Sequence, residues 1–349
     1  MEFEFSPEQT MLRDTARDWA RSVRDSGVSR SRVSGGAVDV DGLWHQIAEY
    51  GWPAIAITEE HGGLGGSLVD ACLVLEALSQ ELTPLPFANA IIVPTLLRES
   101  RESADGLLGR IATGATRVAL AVTPSLKWPA SPGPALAWDW LPGDPVIGMV
   151  RGRPQLIDDV AIGGCISADP LRSLGQLILP DAFAPGPGWE AGCRSLAVAR
   201  VATSTALVGI MSGALALAVE HVSNRHQFGQ PIGSFQSVQH MCADMLVDLE
   251  SSRSIAYGAA WAVENADPES AASSAAAAKA WCAPAARRVC ETAVQALGGM
   301  GITWESDAHV YLREAHLWGA AFGNEKESLA DVAQSLFVGA APDSRGVSR

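Results

Sequence analysis

The sequence predicts a mainly α-helical protein in which a small β unit lies between two helical ones. Three observations carry that expectation. Segments near both ends place apolar residues at helical spacing. The middle, from Thr116 to about Gly188, is rich in Pro and Gly and holds apolar runs of strand length bounded by breakers. After Cys193, long helical segments follow one another with short joins, the pattern of a bundle.

Each element has its own warrant. "SPEQTMLRDTARDWARSV", from Ser6, opens with Ser-Pro and an acid in the first turn, then repeats apolar residues at helical spacing. "DGLWHQIAEYGW" is a second amphipathic helix, and "LVDACLVLEALSQEL" is apolar on most sides, hence a buried helix. Between them "ITEEHGGLGGS" reads as a Gly-rich loop. "RVALAVT", "PVIGMV" and "LGQLILP" read as strands, and "LKWPASPGPALAWDWLPGDP", dense in Pro and Trp, as a loop. Arg194–Asn224 and Ser237–Asn265 are helices, as is the Ala-rich run from Pro268 to the stop at Gly298-Gly299. Shorter helices are expected over Asp307–Ala315 and after Asn324. The expected boundaries are 1–113 (helical), 114–190 (a shortened β unit), 191–340 (a four-helix bundle) and 341–349 (a flexible tail).

A chain of 349 residues exceeds the usual size of one core. Its formal charge of −14 and lack of a basic run argue against nucleic acid or an anionic membrane surface as the main partner. The six cysteines show no C-x-x-C spacing and read as isolated thiols of a reducing compartment. "MEFEFSPEQT" lacks the basic and apolar regions of a signal peptide. The apolar stretches are interrupted by Gly, Ser or charge before spanning length. The expected location is the cytoplasm.

Several chemistries fail on spacing. His240, Asp244 and Asp248 stack at i, i+4 and i+8, but no Glu-x-x-His occurs to complete a carboxylate-bridged di-metal site, so no metal is expected. No Gly-x-Ser-x-Gly is present. The loop Gly62–Gly66 lacks the Lys-Ser/Thr of a phosphate-gripping loop and fits a turn between helices. "RHQFG", from Arg225, is more telling: a guanidinium beside a Gly with an open backbone, at the mouth of a helix, suits a pyrophosphate, and Phe228 can cover a flat ring. "QALGGMG", from Gln295, adds an amide side chain and glycines that admit a ligand to the backbone. Alone, each element is more often a cap or a turn; together, and in this order, they point to a cofactor.

"RHQFGQPIGSFQSVQHMCADM" and "QALGGMGIT" resemble the R-x-x-F-G and Q-x-x-G-G-x-G segments of the acyl-CoA dehydrogenase family. "LWHQIAEYGWPAIAITEEHGGLGGS" is similar to its N-terminal domain, and "HVYLREAHL" to its Y-R-D-A helix. The resemblance implies an N-terminal helical domain, a middle β-barrel-like domain and a C-terminal four-helix bundle. It implies FAD, an acyl-CoA substrate, a Glu that removes the α-proton, and an electron-transferring flavoprotein as acceptor. In the family each flavin lies across a subunit interface. By resemblance Arg225, Gln227, Phe228, Phe235, Gln236, Gln295, Ala296, Gly298 and Gly299 contact the pyrophosphate and adenosine end of a neighbour's FAD.

The pattern breaks at the base. Where the family carries Tyr-Glu-Gly-Thr, this chain reads "AFGNEKES", with Phe322 at the Glu position. The alternative position used by some members falls at Tyr257 or Gly258, and a phenol with an ordinary pKa near 10 is a poor base. Glu325 and Glu327 fall one turn on, as acids at a helix start. The flavin-ring segment is reduced to Val122-Thr123-Pro124, and no W-I-T-N strand follows. What holds the ring and takes the proton is lost, while what is lent to a neighbour's flavin is kept. The chain therefore resembles the base-less subunit of actinobacterial α2β2 acyl-CoA dehydrogenases acting on steroid side-chain CoA thioesters. A sister subunit would supply the ring site and the Glu. Two alternatives stay open: a self-sufficient homomer with a displaced base, and a non-enzymatic scaffold. Arg287 and Arg288 could reach a phosphate but read equally as helix-surface residues.

Overall fold

The computed structural model describes residues 4–99, 105–128, 132–150, 153–157, 160–183 and 194–338. The expected tail, 341–349, lies outside them. The first unit is helical: α1 (Pro7–Asp25), α2 (Val28–Val33), α3 (Val40–Glu49), α4 (Leu68–Gln80), α5 (Phe87–Glu99) and α6 (Asp105–Ala112). α1 starts where the sequence predicts because Ser6 and Gln9 form a reciprocal cap: Gln9 N–H donates to Ser6 Oγ and Ser6 N–H to Gln9 Oε1. Ser67 and Asp70 cap α4 in the same way. α4 is buried on most sides, between α1 and the bundle. The Gly-rich loop is a tight turn whose Gly62 and Gly65 have φ of 80° and 62°, and a Cβ on Gly63 would lie 2.1 Å from Ile57 O.

The middle is one six-stranded sheet in the order β4-β3-β1-β2-β6-β5. Its strands are β1 (Ala119–Val122), β2 (Gly133–Trp138), β3 (Val146–Val150), β4 (Arg153–Leu156), β5 (Gly163–Cys165) and β6 (Leu174–Leu179). The three predicted strands are β1, β3 and β6. β2 corrects the expectation of a loop across that stretch: it lies between β1 and β6. Its Pro134 is tolerated because β1 pairs only with Leu136–Trp138, leaving the Pro nitrogen side without a ladder partner to miss.

The third unit holds α7 (Arg194–Asn224), a two-stranded hairpin of β7 (His226–Gln227) and β8 (Gln230–Pro231), then α8 (Gln236–Asn265), α9 (Pro268–Leu297), α10 (Ala308–Ala320) and α11 (Glu325–Val338). α7 lacks a polar face because it is packed by α4, α5, α8, α9 and α10. It is long and apolar enough to cross a bilayer by length and composition, contrary to the expectation that every apolar stretch is interrupted first; 78% of that window is buried within the fold. α10 runs past Ala315, the expected end, because Trp318 is driven into the core.

Candidate functional site

The segment from Arg225 to Phe235 is a hairpin set between α7 and α8. Its turn places Phe228 at φ 55° and Gly229 at φ 82°, the two left-handed positions of a primed turn. Glycine accepts that backbone freely, but a bulky aromatic there is strained. Phe228 is 91% exposed, and its ring meets that of Phe235 edge-to-face at 6.1 Å. A strained residue that presents an apolar ring to solvent marks a contact surface. Arg225 is fixed through its backbone: its N–H donates to His221 O (2.9 Å) and its carbonyl accepts from Ile232 N–H (2.8 Å). Gln227 and Gln236 are exposed on either side.

The second element ends α9. Gln295 is exposed on the last turn and Ala296 half-buried. Gly298 has φ 62° and ψ −137°, a conformation only glycine adopts readily. A Cβ on Gly298 or Gly299 would meet nothing within 4 Å, so both present bare backbone to open space. The fold brings the two elements to one end of the bundle. Arg225, His221 and Asn224 share a cleft of about 520 Å³ with Leu297 and Met300. Arg24 and Arg30 also line it, but both pair with Asp307. Among the described residues the Arg225 guanidinium has no carboxylate partner. An unpaired guanidinium sharing a cleft with the residues that flank exposed glycine backbone fits a phosphate-bearing ligand.

Position 322, where the resemblance puts the family's base, is built differently. Phe322 is 1% exposed, its ring against Trp138 of β2 at 5.9 Å; Trp138 in turn meets Trp318 of α10 at 5.3 Å. Its backbone is left-handed, φ 58°, pinned by its N–H donating to Leu126 O (2.9 Å) and by Arg200 Nε donating to its carbonyl (3.3 Å). Gly323, at φ 111°, lets Arg200 pass: a Cβ there would lie 3.1 Å from the guanidinium. Position 322 is thus filled by its own ring, which packs on Trp138, itself packed on Trp318. Sequence reasoning missed this plug, since Trp138 stood in a stretch taken for a loop and Trp318 beyond the expected end of α10.

Neither alternative base is placed for proton abstraction. The Tyr257 hydroxyl donates to buried Glu76 (2.7 Å), which also accepts from Arg253 (3.1 Å). Burial, and then the Glu76 charge, push the phenol well above its ordinary value. Gly258, next to it on α8, carries no functional group. Glu327 caps α11 reciprocally with Asn324 and pairs with Lys127; burial opposes its ionisation, but Lys127 and the Asn324 amide hold its pKa below the ordinary value. Glu325 is exposed on the first turn of α11. Along α8, Asp248 pairs with Arg288 of α9 (2.7 Å), while His240 and Asp244 are exposed. Arg287 is exposed beside Arg288.

Comparison with known proteins agrees with this architecture. Residues 6–115 match the family model for the acyl-CoA dehydrogenase N-terminal domain, and residues 186–337 that for the C-terminal domain. Acyl-CoA dehydrogenase FadE34 of Mycobacterium tuberculosis is 30% identical over 332 residues, 90% of this chain but only 46% of that protein, so the chain spans less than half its length. Acyl-CoA dehydrogenase IpdE2 of the same organism is 29% identical over 88% of this chain and 91% of its own. Among solved structures, the Tcur3481-Tcur3483 steroid ACAD G363A variant superimposes with a TM-score of 0.81 at 23% identity, covering 95% of this chain and 98% of its own. The ChsE4-ChsE5 complex of M. tuberculosis gives 0.79 at 20% identity, with 98% and 100% covered. At such identities these two structures speak for the fold. The two family models take in most of the sequence on that shared fold, and the chain belongs to the acyl-CoA dehydrogenase family.

Proposed function

We propose that this chain is the base-less subunit of a heteromeric, FAD-dependent acyl-CoA dehydrogenase. Arg225, Gln227, Phe228, Phe235, Gln236, Gln295, Ala296, Gly298 and Gly299 contact the pyrophosphate and adenosine of an FAD whose ring a sister subunit houses. That sister supplies the Glu which takes the α-proton of the acyl-CoA thioester. FAD, when bound, accepts the β-hydrogen, and an electron-transferring flavoprotein removes the electrons.

One contrast carries this reading. The outward elements are open, with an unpaired guanidinium and bare glycine backbone, whereas the base position is closed by Phe322, Trp138 and Trp318. The residues present therefore fit the phosphate end of FAD and do not fit its ring. A complex of two named proteins, ChsE4-ChsE5, shares the fold and supports a partner. The substrate we propose is a steroid side-chain CoA thioester, in line with a fold neighbour described as a steroid ACAD. A self-sufficient homomer would need a base displaced from position 322, and the alternatives do not offer one: Tyr257 is tied to Glu76 and Glu327 to Lys127 and Asn324.

The test is the FAD-to-protein ratio of the chain purified alone and after co-expression with a sister dehydrogenase. The expected result is a colourless chain alone and one FAD per heterodimer together. A yellow chain with one FAD each would overturn the reading in favour of a homomer. Failure of the co-purified pair to hold any flavin would favour a scaffold.

A further inference from the structure

Away from the outward cleft, four ionisable side chains meet in the dry junction between the sheet, the first unit and α10. Asp169 and Glu314 are 1% exposed, Arg172 4% and Asp139 5%. Arg172 precedes β6; its Nε donates to Glu314 Oε1 (2.9 Å), its Nη1 to Leu85 O (2.8 Å) and Asp139 Oδ2 (3.3 Å), and its Nη2 to Thr83 O (3.1 Å). Glu314 Oε2 accepts from Trp318 Nε1. Glu314 thus accepts at both carboxyl oxygens and Asp139 at one. Arg32 of α2 adds a cation at the rim, where it donates to Ser173 and acts on Asp139.

Asp169 is the odd member. Its Oδ1 accepts from Leu171 N–H (2.9 Å), but its Oδ2 is buried and receives no donor among the described residues; Arg313 donates to Ala168 O (3.0 Å), which sets Asp169 alongside equally buried Glu314. Ionised, Asp169 would set a bare oxygen against another carboxylate and leave three acids sharing one buried guanidinium, at a high desolvation cost. Protonated, Oδ2 becomes a hydroxyl that donates to Glu314, and every atom of the pair is satisfied.

We propose that Asp169 is a neutral acid in the folded protein at neutral pH, and that its proton bonds Glu314 to latch the sheet onto α10. The latch lies directly behind the aromatic plug. Glu314 holds the Trp318 indole, Arg172 stacks on that ring at 5.2 Å, and Trp318 meets Trp138, which meets Phe322. The closed base position is therefore braced by a stored proton. Burial and the facing Glu314 push Asp169 well above its ordinary 3.8. The folded chain then binds more protons than the unfolded chain above that ordinary value, so this latch contributes most in acid and weakens as pH rises through the raised value.

The direct test is infrared spectroscopy of the intact chain at pH 7. A protonated-carboxyl C=O band is expected that shifts on ¹³C-aspartate labelling and is lost in Asp169→Asn, but persists in Asp139→Asn. Absence of the band in the wild type, or its survival in Asp169→Asn, overturns the proposal. The wild-type spectrum decides even if a variant fails to fold. Urea unfolding across pH 5–9 supplies the second reading. Asp169→Asn, whose amide donates without titrating, is expected to lose stability less steeply with rising pH than the wild type. Equal slopes would overturn the latch.

Discussion

At position 322 the backbone is held left-handed at φ 58° in a residue that carries a full aromatic side chain, a conformation costing about 1–2 kcal/mol. Contacts offset that cost: the Leu126 carbonyl, the Arg200 guanidinium and the Trp138 ring. Placing an acid there is not expected to yield a dehydrogenase. Phe322→Glu removes a ring buried to 1% and sets a carboxyl among indoles. It is expected to destabilise the chain by at least the ~3–5 kcal/mol of truncating a buried Phe, and to gain neither flavin nor turnover on its own. Urea unfolding checks the first part, and an unchanged midpoint would show that the position is not closed. The neighbouring Arg200 is as telling in its way. It reaches Phe322 from α7, whereas Tyr257 on α8 is tied to Glu76 in a different part of the core.

Elements were legible in proportion to how local their cause is. The starts of α1 and α4 follow from Ser6 and Ser67 with their partners three residues on, and α9 stops at Gly298. β2 was not legible, because its Pro and Gly spell a loop and only flanking β1 and β6 make it a strand. The end of α10 was equally hidden. Its last turn is held by Lys279 of α9, fully buried, whose Nζ donates to Trp318 O. Burial lowers that amine from its ordinary 10.5 to about 7, with Cys282 opposing and Arg200 adding to the shift. Between these values the unfolded chain holds the proton and the folded chain does not, so the burial penalty is full below about 7 and fades as pH rises toward 10.5. Lys279→Met is expected to remove this rise in stability with pH. Its unfolding midpoints, compared with wild type at pH 7 and pH 10, should converge at the higher pH; a constant difference would mean that Lys279 is charged in the folded state.

At the scale of the molecule, the sequence pointed to the outward half of the candidate site and hid the closed half. Arg-x-x-Phe-Gly and Gly-Gly are short patterns whose chemistry is written in adjacent residues. The plug needs Trp138, Trp318 and Phe322 to meet across the sheet and α10, which no local spacing announces. Because Arg225 has no carboxylate partner among the described residues and lines an open cleft, it adds little to this chain's own stability. Arg225→Ala should therefore leave the unfolding midpoint of the isolated chain unchanged. In the proposed assembly the same change removes a charge-assisted hydrogen bond to a phosphate, worth about 1.5–3 kcal/mol, or roughly a tenfold to hundredfold loss of FAD affinity. Flavin retained by the co-purified pair after gel filtration, and its recovery on adding excess FAD, measures that loss. Full retention would move the phosphate contact elsewhere on the bundle. A lower midpoint of the isolated chain would instead mean that Arg225 serves this chain's own fold.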